Sequence, residues 1–288
     1  MPTLLGMSTT LQVPTAVRLR LAHGCLEHHA RTAGARILHI KGEALHPVLS
    51  AGRPGSTDCD VLVAPADVAA FTRVLEAAGW EQITTFPHGS VFGHAAAFHH
   101  QLWGTVDVHR WFPGMHRDPA HSFERLWSDH EVTDLGGIDC AVPALLHQRL
   151  LLLVHAARES AGKSARDVEA AWGALDDAGR QDIVALAHDL GAEVPLGLVT
   201  GQEGLVTGGP DEHLWRALDA DADPTAVWRA RLRDSRGVLG RGRVLAQAMH
   251  VNHDHLSLRL GHAPSRRELR REWWSRWGRL AKDLLRRR

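Results

Sequence analysis

The run Ser56-Thr57-Asp58-Cys59-Asp60-Val61-Leu62-Val63 sets two aspartates directly ahead of an apolar, partly β-branched segment. A strand here alternates its side chains, so Asp58 and Asp60 share one face while Cys59 and Val61 take the other. Two carboxylates about 4 Å apart repel by roughly 4 kcal/mol at an effective dielectric near 20. They therefore need water or a bridging cation. A turn with two solvated acids and a divalent-metal site both meet that need.

The flanking pattern gives the pair a setting. Pro14 and Thr15 open a helical stretch in which Val17, Leu21, Cys25 and Leu26 share a face, and Gly34 closes it. A short strand, Ile37 to Ile40, ends at Lys41-Gly42 and leads into a short helix over 43–49, then the loop SAGRPGST. After the Asp58/Asp60 strand, Pro65 starts a helix over 66–78 with Val68, Phe71, Val74 and Leu75 inward and Gly79 as its stop. Short strands follow at 81–86, 95–101 and 105–111, the last two joined at Trp103-Gly104. In the third, Val106 and Val108 take one face and Asp107 and His109 the other, an expensive place for an unpaired carboxylate. A second hairpin spans 130–142 around Gly136-Gly137, and beyond Pro143 the pattern turns helical, at 145–157, 165–175 and 182–190, with a Gly-rich connector over 196–210. The expected organisation is a loose leader over 1–13, an α+β domain over 14–142, a helical domain over 143–264 and a separate terminal helix over 265–288.

Composition narrows the classes of function. The chain has 288 residues, enough for two modest domains, and its 33 basic and 33 acidic side chains give no global argument for nucleic acid. Cys25, Cys59 and Cys140 are scattered, with no CxxC, which argues against a disulfide framework or a structural zinc site and suits a reducing cytosol. HVNHDH at 250–255 matches no closed zinc spacing either, and His155, in an apolar helix, reads as a core histidine. No apolar run is long enough to cross a bilayer, so a soluble cytoplasmic protein is expected.

Taken together, Lys41-Gly42, Arg53, Ser56, Asp58, Asp60 and Val106-Asp107-Val108-His109 resemble, in order and spacing, the DNA polymerase β-like nucleotidyltransferase superfamily, and within it the bacterial group labelled "nucleotidyltransferase family protein". The resemblance covers roughly 34–112 well and the helical part, including LLHQRLLLLVHAA and SARDVEAAW, more loosely. It implies an α+β fold, a mixed sheet flanked by helices, followed by a mainly α-helical domain. It implies Asp58, Asp60 and Asp107 as catalytic carboxylates holding two Mg²⁺ ions, and Lys41, Gly42, Arg53 and Ser56 as nucleotide-binding residues. Lys163, in a Lys-x-x-Arg-Asp pattern with Arg166 and Asp167, joins them from across the cleft. The implied reaction moves a nucleoside monophosphate from an NTP, ATP being the expected one, to a hydroxyl or phosphate acceptor, with pyrophosphate released. That acceptor is left open as a small molecule, peptide, RNA or protein. Glu43, after Gly42, departs from the Gly-Ser or Gly-Gly of the superfamily turn and sits badly beside a triphosphate. A non-catalytic nucleotide-binding or scaffold protein is therefore the alternative.

The last 23 residues carry ten basic and three acidic side chains, a net +7 that leaves −7 on the rest of a neutral chain. Leu269, Trp273, Trp277, Leu280 and Leu284 draw one apolar stripe along this basic amphipathic helix. It suits peripheral contact with an anionic membrane surface, or packing against the acidic body of the protein.

Overall fold

The structure is a computed structural model that describes residues 13–89, 92–159, 164–220, 222–249, 251–262 and 264–285. The expected leader lies almost wholly outside them, and so does Lys163.

Helix α1, Thr15–Ala33, ends on Gly34, whose left-handed backbone (φ 64°) lets its N–H bond the carbonyls of Ala30 and Arg31. Strand β1, Ile37–Ile40, follows, and then a 3₁₀ turn, Gly42–Ala44, and one turn of helix, α2, Pro47–Ser50. Pro47 splits the single helix expected over 43–49 because it fits the first turn of a helix and no later one. Strand β2, Cys59–Val63, is buried along its whole length, and helix α3, Val68–Ala77, packs Phe71 and Leu75 inward.

Three further strands complete one mixed sheet: β3, Glu81–Gln82, then β4, Ala95–His100, and β5, Gly104–His109. A short helical turn covers Phe86–Gly89 between β3 and β4. The sheet order is β1-β2-β5-β4-β3, with β2 and β5 parallel and every other pair antiparallel. The strand expected over 81–86 stops early because the N–H groups of Ile83 and Thr84 both reach the Ala97 carbonyl, which ends the regular ladder. The expected turn at Trp103-Gly104 sits slightly earlier, and Gly104 already belongs to β5.

Alternation along the strands builds two cores. On one face Ile37, Cys59, Val61, Val63, Val106 and Val108 meet α1 and α3. On the other, Leu38, Ile40 and Leu62 meet Phe112 and the helix Leu145–Ala156, whose Leu150, Leu151, Leu152 and Leu153 are all essentially buried. Each such leucine contributes about 2 kcal/mol. A helix absent from the sequence reading, Pro119–Ser128, also packs there through Phe123 and Leu126. Its start is encoded by Asp118, whose carboxylate accepts from the N–H groups of Ala120 (2.9 Å) and His121 (3.2 Å), and by Pro119 in the first turn.

The second hairpin forms as expected, from β6, Glu131–Asp134, and β7, Asp139–Val142. The helix expected over 165–175 is Ala165–Val168 continued by a wide π turn, Glu169–Gly173. The Gly-rich connector over 196–210 is instead largely helical, as Glu193–Thr200 and Glu203–Val206. Two of its glycines, Gly197 and Gly209, serve close packing: a Cβ on Gly197 would lie 2.7 Å from Val206 Cγ2 and 2.8 Å from the Gln202 carbonyl. The described residues end in a long helix, Arg266–Leu285, tied to the preceding residues by an Arg259–Glu272 pair at 2.6 Å.

Candidate active site

Asp60 and Asp107 are register partners on the parallel pair β2 and β5, so both carboxylates leave the sheet on the same face. Ligating atoms of Asp60, Asp107 and His109 all lie within 4.8 Å of one another. Asp58 stands in the bend just before β2, where its carboxylate accepts from Ser56 Oγ at 3.3 Å while the same hydroxyl bonds the Asp58 carbonyl at 2.9 Å. Asp60 and Asp107 therefore stand side by side on neighbouring strands with His109 beside them, while Asp58, at the entry to β2, lies outside that cluster.

Their electrostatics differ. Asp60 is buried, which alone raises a carboxyl pKa, yet the Lys41 ammonium and the His109 imidazole, each 2.7 Å from its Oδ1, hold it well below the usual carboxylate range. Asp107 makes no ion pair among the described residues, and burial, reinforced by the charges of Asp60 and Asp58, pushes it up to about 6. Asp58 is raised by burial and by Asp60. Histidine 109 is kept neutral by burial, so its Nε2–H donates to Asp60.

Lys41, between β1 and the 3₁₀ turn, has φ 58° and ψ −170°, a region that costs a side-chain-bearing residue about 1–3 kcal/mol. The reward for that strain is its Nζ on Asp60. Gly42 also has positive φ (47°), and a Cβ there would lie 3.0 Å from Ser56 Oγ and 3.1 Å from Ser56 Cβ. The Lys41-Gly42 turn and the Ser56 bend are thus pressed together, which explains why a glycine stands at this position.

The Arg53 guanidinium is paired with Asp167, and the Arg166 guanidinium would lie 3.2 Å from a Cβ placed on Gly52. The SARDV helix start thereby docks on the loop SAGRPGST beside the acids. The helix Leu145–Ala156 and its following turn bring two more groups, His155 and Arg158. Burial, with Lys41 and Arg158 nearby, drives His155 down to about 2, so it is a neutral, partly covered ring. Burial presses Arg158 down to about 10, with Asp60 and Glu159 pulling it up. Its Cζ lies 5.8 Å from the Phe112 ring centre, and its Nε is buried without a hydrogen-bond partner. His109 was legible as the face-mate of Asp107. Arg158 carried no motif, because it reaches the site only through the packing of its helix on the sheet.

The donor set fits a hard divalent cation: carboxylate oxygens that repel one another, one of them, on Asp107, in no ion pair among the described residues. His109 is already committed to Asp60 and orients that carboxylate.

A family model described as "Uncharacterised nucleotidyltransferase" matches residues 12–202. No curated protein matches the sequence. Among solved structures the chain is similar to the lincosamide antibiotic adenylyltransferase LnuA in its lincomycin-bound form, at 13% identity and a TM-score of 0.37 over 53% of this chain and 94% of that one. It is also similar to an antigenic nucleotidyltransferase-like protein from Paracoccidioides brasiliensis, at 14% identity and a TM-score of 0.39 over 74% of this chain and 97% of that one. Both likenesses are too distant to indicate a substrate.

Proposed function

The chain belongs to the uncharacterised nucleotidyltransferase family, and from that premise we propose that it moves a nucleoside monophosphate from an NTP, ATP first among them, to a hydroxyl or phosphate acceptor. The observation that carries this reading is the placement of Asp60 and Asp107 side by side on parallel strands, with Asp58 at the entry to one of them.

In this reading Asp58, Asp60 and Asp107 hold Mg²⁺, which when bound would neutralise triphosphate charge and stabilise the attacking and departing oxygens of an in-line displacement. The Asp107 carboxylate takes the proton of the acceptor hydroxyl. Lys41 and His109 keep Asp60 ionised and aimed. The Gly42 and Glu43 N–H groups at the start of the 3₁₀ turn receive phosphate oxygens, with Ser56 beside them. Arg53 stabilises the loop through Asp167, and Arg158, a desolvated cation at the same face, supplies charge to the triphosphate. Residues 143–264 act as the helical part that closes one side of the cleft and selects the acceptor, and residues 265–288 offer a basic helix for peripheral membrane contact.

Incubation with each NTP, Mg²⁺ and a panel of acceptors, followed by pyrophosphate detection and product mass, tests the reading. Metal-dependent pyrophosphate release that disappears in Asp58→Asn with Asp60→Asn supports it. Nucleotide binding with no metal dependence and no turnover would instead identify a non-catalytic nucleotide-binding protein.

A further inference from the structure

A second cluster of metal-ligating side chains lies on the opposite face of the sheet from the acids. His39 alternates with Ile40 along β1 and points toward α1, where its Nε2 is 3.3 Å from Glu27 Oε2. Cys140 of β7 completes the group: ligating atoms of Glu27, His39 and Cys140 all lie within 4.8 Å of one another. His39 and Cys140 are buried, and the Glu27 side chain keeps 13% of its exposure, which leaves a path for an ion. The three residues are separated by 12 and then 101 positions, so no sequence spacing announces them.

We propose that Glu27, His39 and Cys140 form a Zn²⁺-class metal site that staples α1, β1 and the β6–β7 hairpin together. The proposal is independent of the reading of the acidic site.

Donor chemistry, geometry, charge and surroundings agree. One thiolate, one imidazole and one carboxylate make a borderline-soft set that selects zinc over magnesium. Two ligands held about 2.0–2.1 Å from a tetrahedral ion stand about 3.3–3.4 Å apart, and the observed nitrogen-to-oxygen separation is 3.3 Å. A carboxylate and a thiolate together balance the two charges of the ion, so the filled site buries no net charge. Histidine 39 has its other nitrogen, Nδ1, 2.9 Å from Nδ1 of the fully buried His23. That is the outer hydrogen bond by which a metal-bound imidazole is fixed in one tautomer and orientation. The remaining oxygen of Glu27 accepts from Arg31 Nε at 2.9 Å, which holds the carboxylate in place.

The fold delivers Cys140 to this spot by unusually close packing. A Cβ on Gly24 of α1 would lie 2.8 Å from the Leu135 carbonyl, and one on Gly136 would lie 2.8 Å from the Arg20 carbonyl. Arg20 bonds the Asp134 carbonyl at 2.8 Å and Arg31 the Asp139 carbonyl at 2.6 Å, so α1 holds both strands of the hairpin where they flank its turn. Only three protein ligands are present among the described residues, so the fourth position falls to water.

The test uses the full chain stripped with EDTA and titrated with Co²⁺ in excess Mg²⁺, which occupies hard-oxygen sites. The expected result is a thiolate-to-cobalt charge-transfer band that saturates at one equivalent and is displaced by Zn²⁺. Cys140→Ser abolishes the band and weakens Zn²⁺ binding at least about tenfold, whereas Cys25→Ser and Asp107→Asn leave both unchanged. Absence of the band from the wild-type protein overturns the proposal whether or not any variant folds. So does a band that survives Cys140→Ser or that is lost in Cys25→Ser.

Discussion

Replacing Asp107 by asparagine is expected to stabilise the metal-free protein above neutral pH while ending its activity. The carboxyl is pushed up to about 6 from a usual 3.8 by burial and by Asp60 and Asp58. A folded-state pKa above the unfolded value means that this group's contribution is fully present below 3.8 and is lost as pH rises through 6. At pH 8 the ionised carboxylate therefore costs folding about 3 kcal/mol at 1.36 kcal/mol per pH unit, reduced to about 2–3 kcal/mol by the water it still meets. Asparagine keeps the shape and never carries the charge. Thermal unfolding in EDTA at pH 5 and pH 8 reads the difference, and at roughly 2–4 °C per kcal/mol the variant gains about 5–10 °C at pH 8 and about half as much at pH 5, where the unfolded carboxyl is already ionised and the folded one is still protonated. Added Mg²⁺ is expected to raise the melting temperature of the wild type more than that of the variant. A variant that melts at or below the wild type at pH 8, or a gap that does not change with pH, would refute the claim that Asp107 is a desolvated, repelled carboxylate.

Gly42→Ala forces a Cβ against Ser56 at a positive φ; a stability loss of about 1–3 kcal/mol in urea unfolding, with a raised KM for NTP, is the expected result. Lys41→Met leaves Asp60 without its ammonium partner and is expected to cost about 3 kcal/mol or more, measured the same way. Arg158→Met is expected to raise KM for NTP several-fold with a smaller change in kcat, because its guanidinium contributes charge to binding. Burial lowers His23, His39, His94, His109 and His155, so these rings contribute fully above their unfolded value near 6.5, and stability is lost as pH falls below it. In the Asp107→Asn background, which removes one of the two opposing carboxyls and leaves Asp58 against five histidines, chemical denaturation at pH 5 and pH 7 is expected to show lower stability at pH 5.

Local periodicity made much of this molecule legible. Val61-Leu62-Val63 is a short apolar, β-branched run and Val106-Asp107-Val108-His109 alternates cleanly, so both strands and the shared face of Asp107 and His109 could be read directly, and the hairpin at Gly136-Gly137 followed from its turn chemistry. Contacts that depend on packing were hidden. The sequence marks Lys41 as a nucleotide-binding residue, but its contact with Asp60, made from a strained backbone, appears only in the fold. Arg53 reads as a phosphate ligand, and its partner Asp167 lies 114 positions away. The helix Pro119–Ser128 had a legible start at Asp118-Pro119, but PAHSFERLWS has an amphipathic face too short to stand out. The Gly-rich stretch over 196–210 misled because glycine marks close packing as well as loops, and Gly197 against Val206 belongs to the first kind. Glu27, His39 and Cys140 become neighbours only when a hairpin closes on the first helix.

Pyrophosphate release from ATP is the most direct measure of the central claim that Asp58, Asp60 and Asp107 form a metal-dependent nucleotidyl-transfer site. The account predicts release that requires Mg²⁺, produces an acceptor heavier by one nucleotide, and is abolished in both Asp60→Asn and Asp107→Asn proteins that remain folded. Transfer that persists in either variant, or that proceeds unchanged in EDTA, would contradict it.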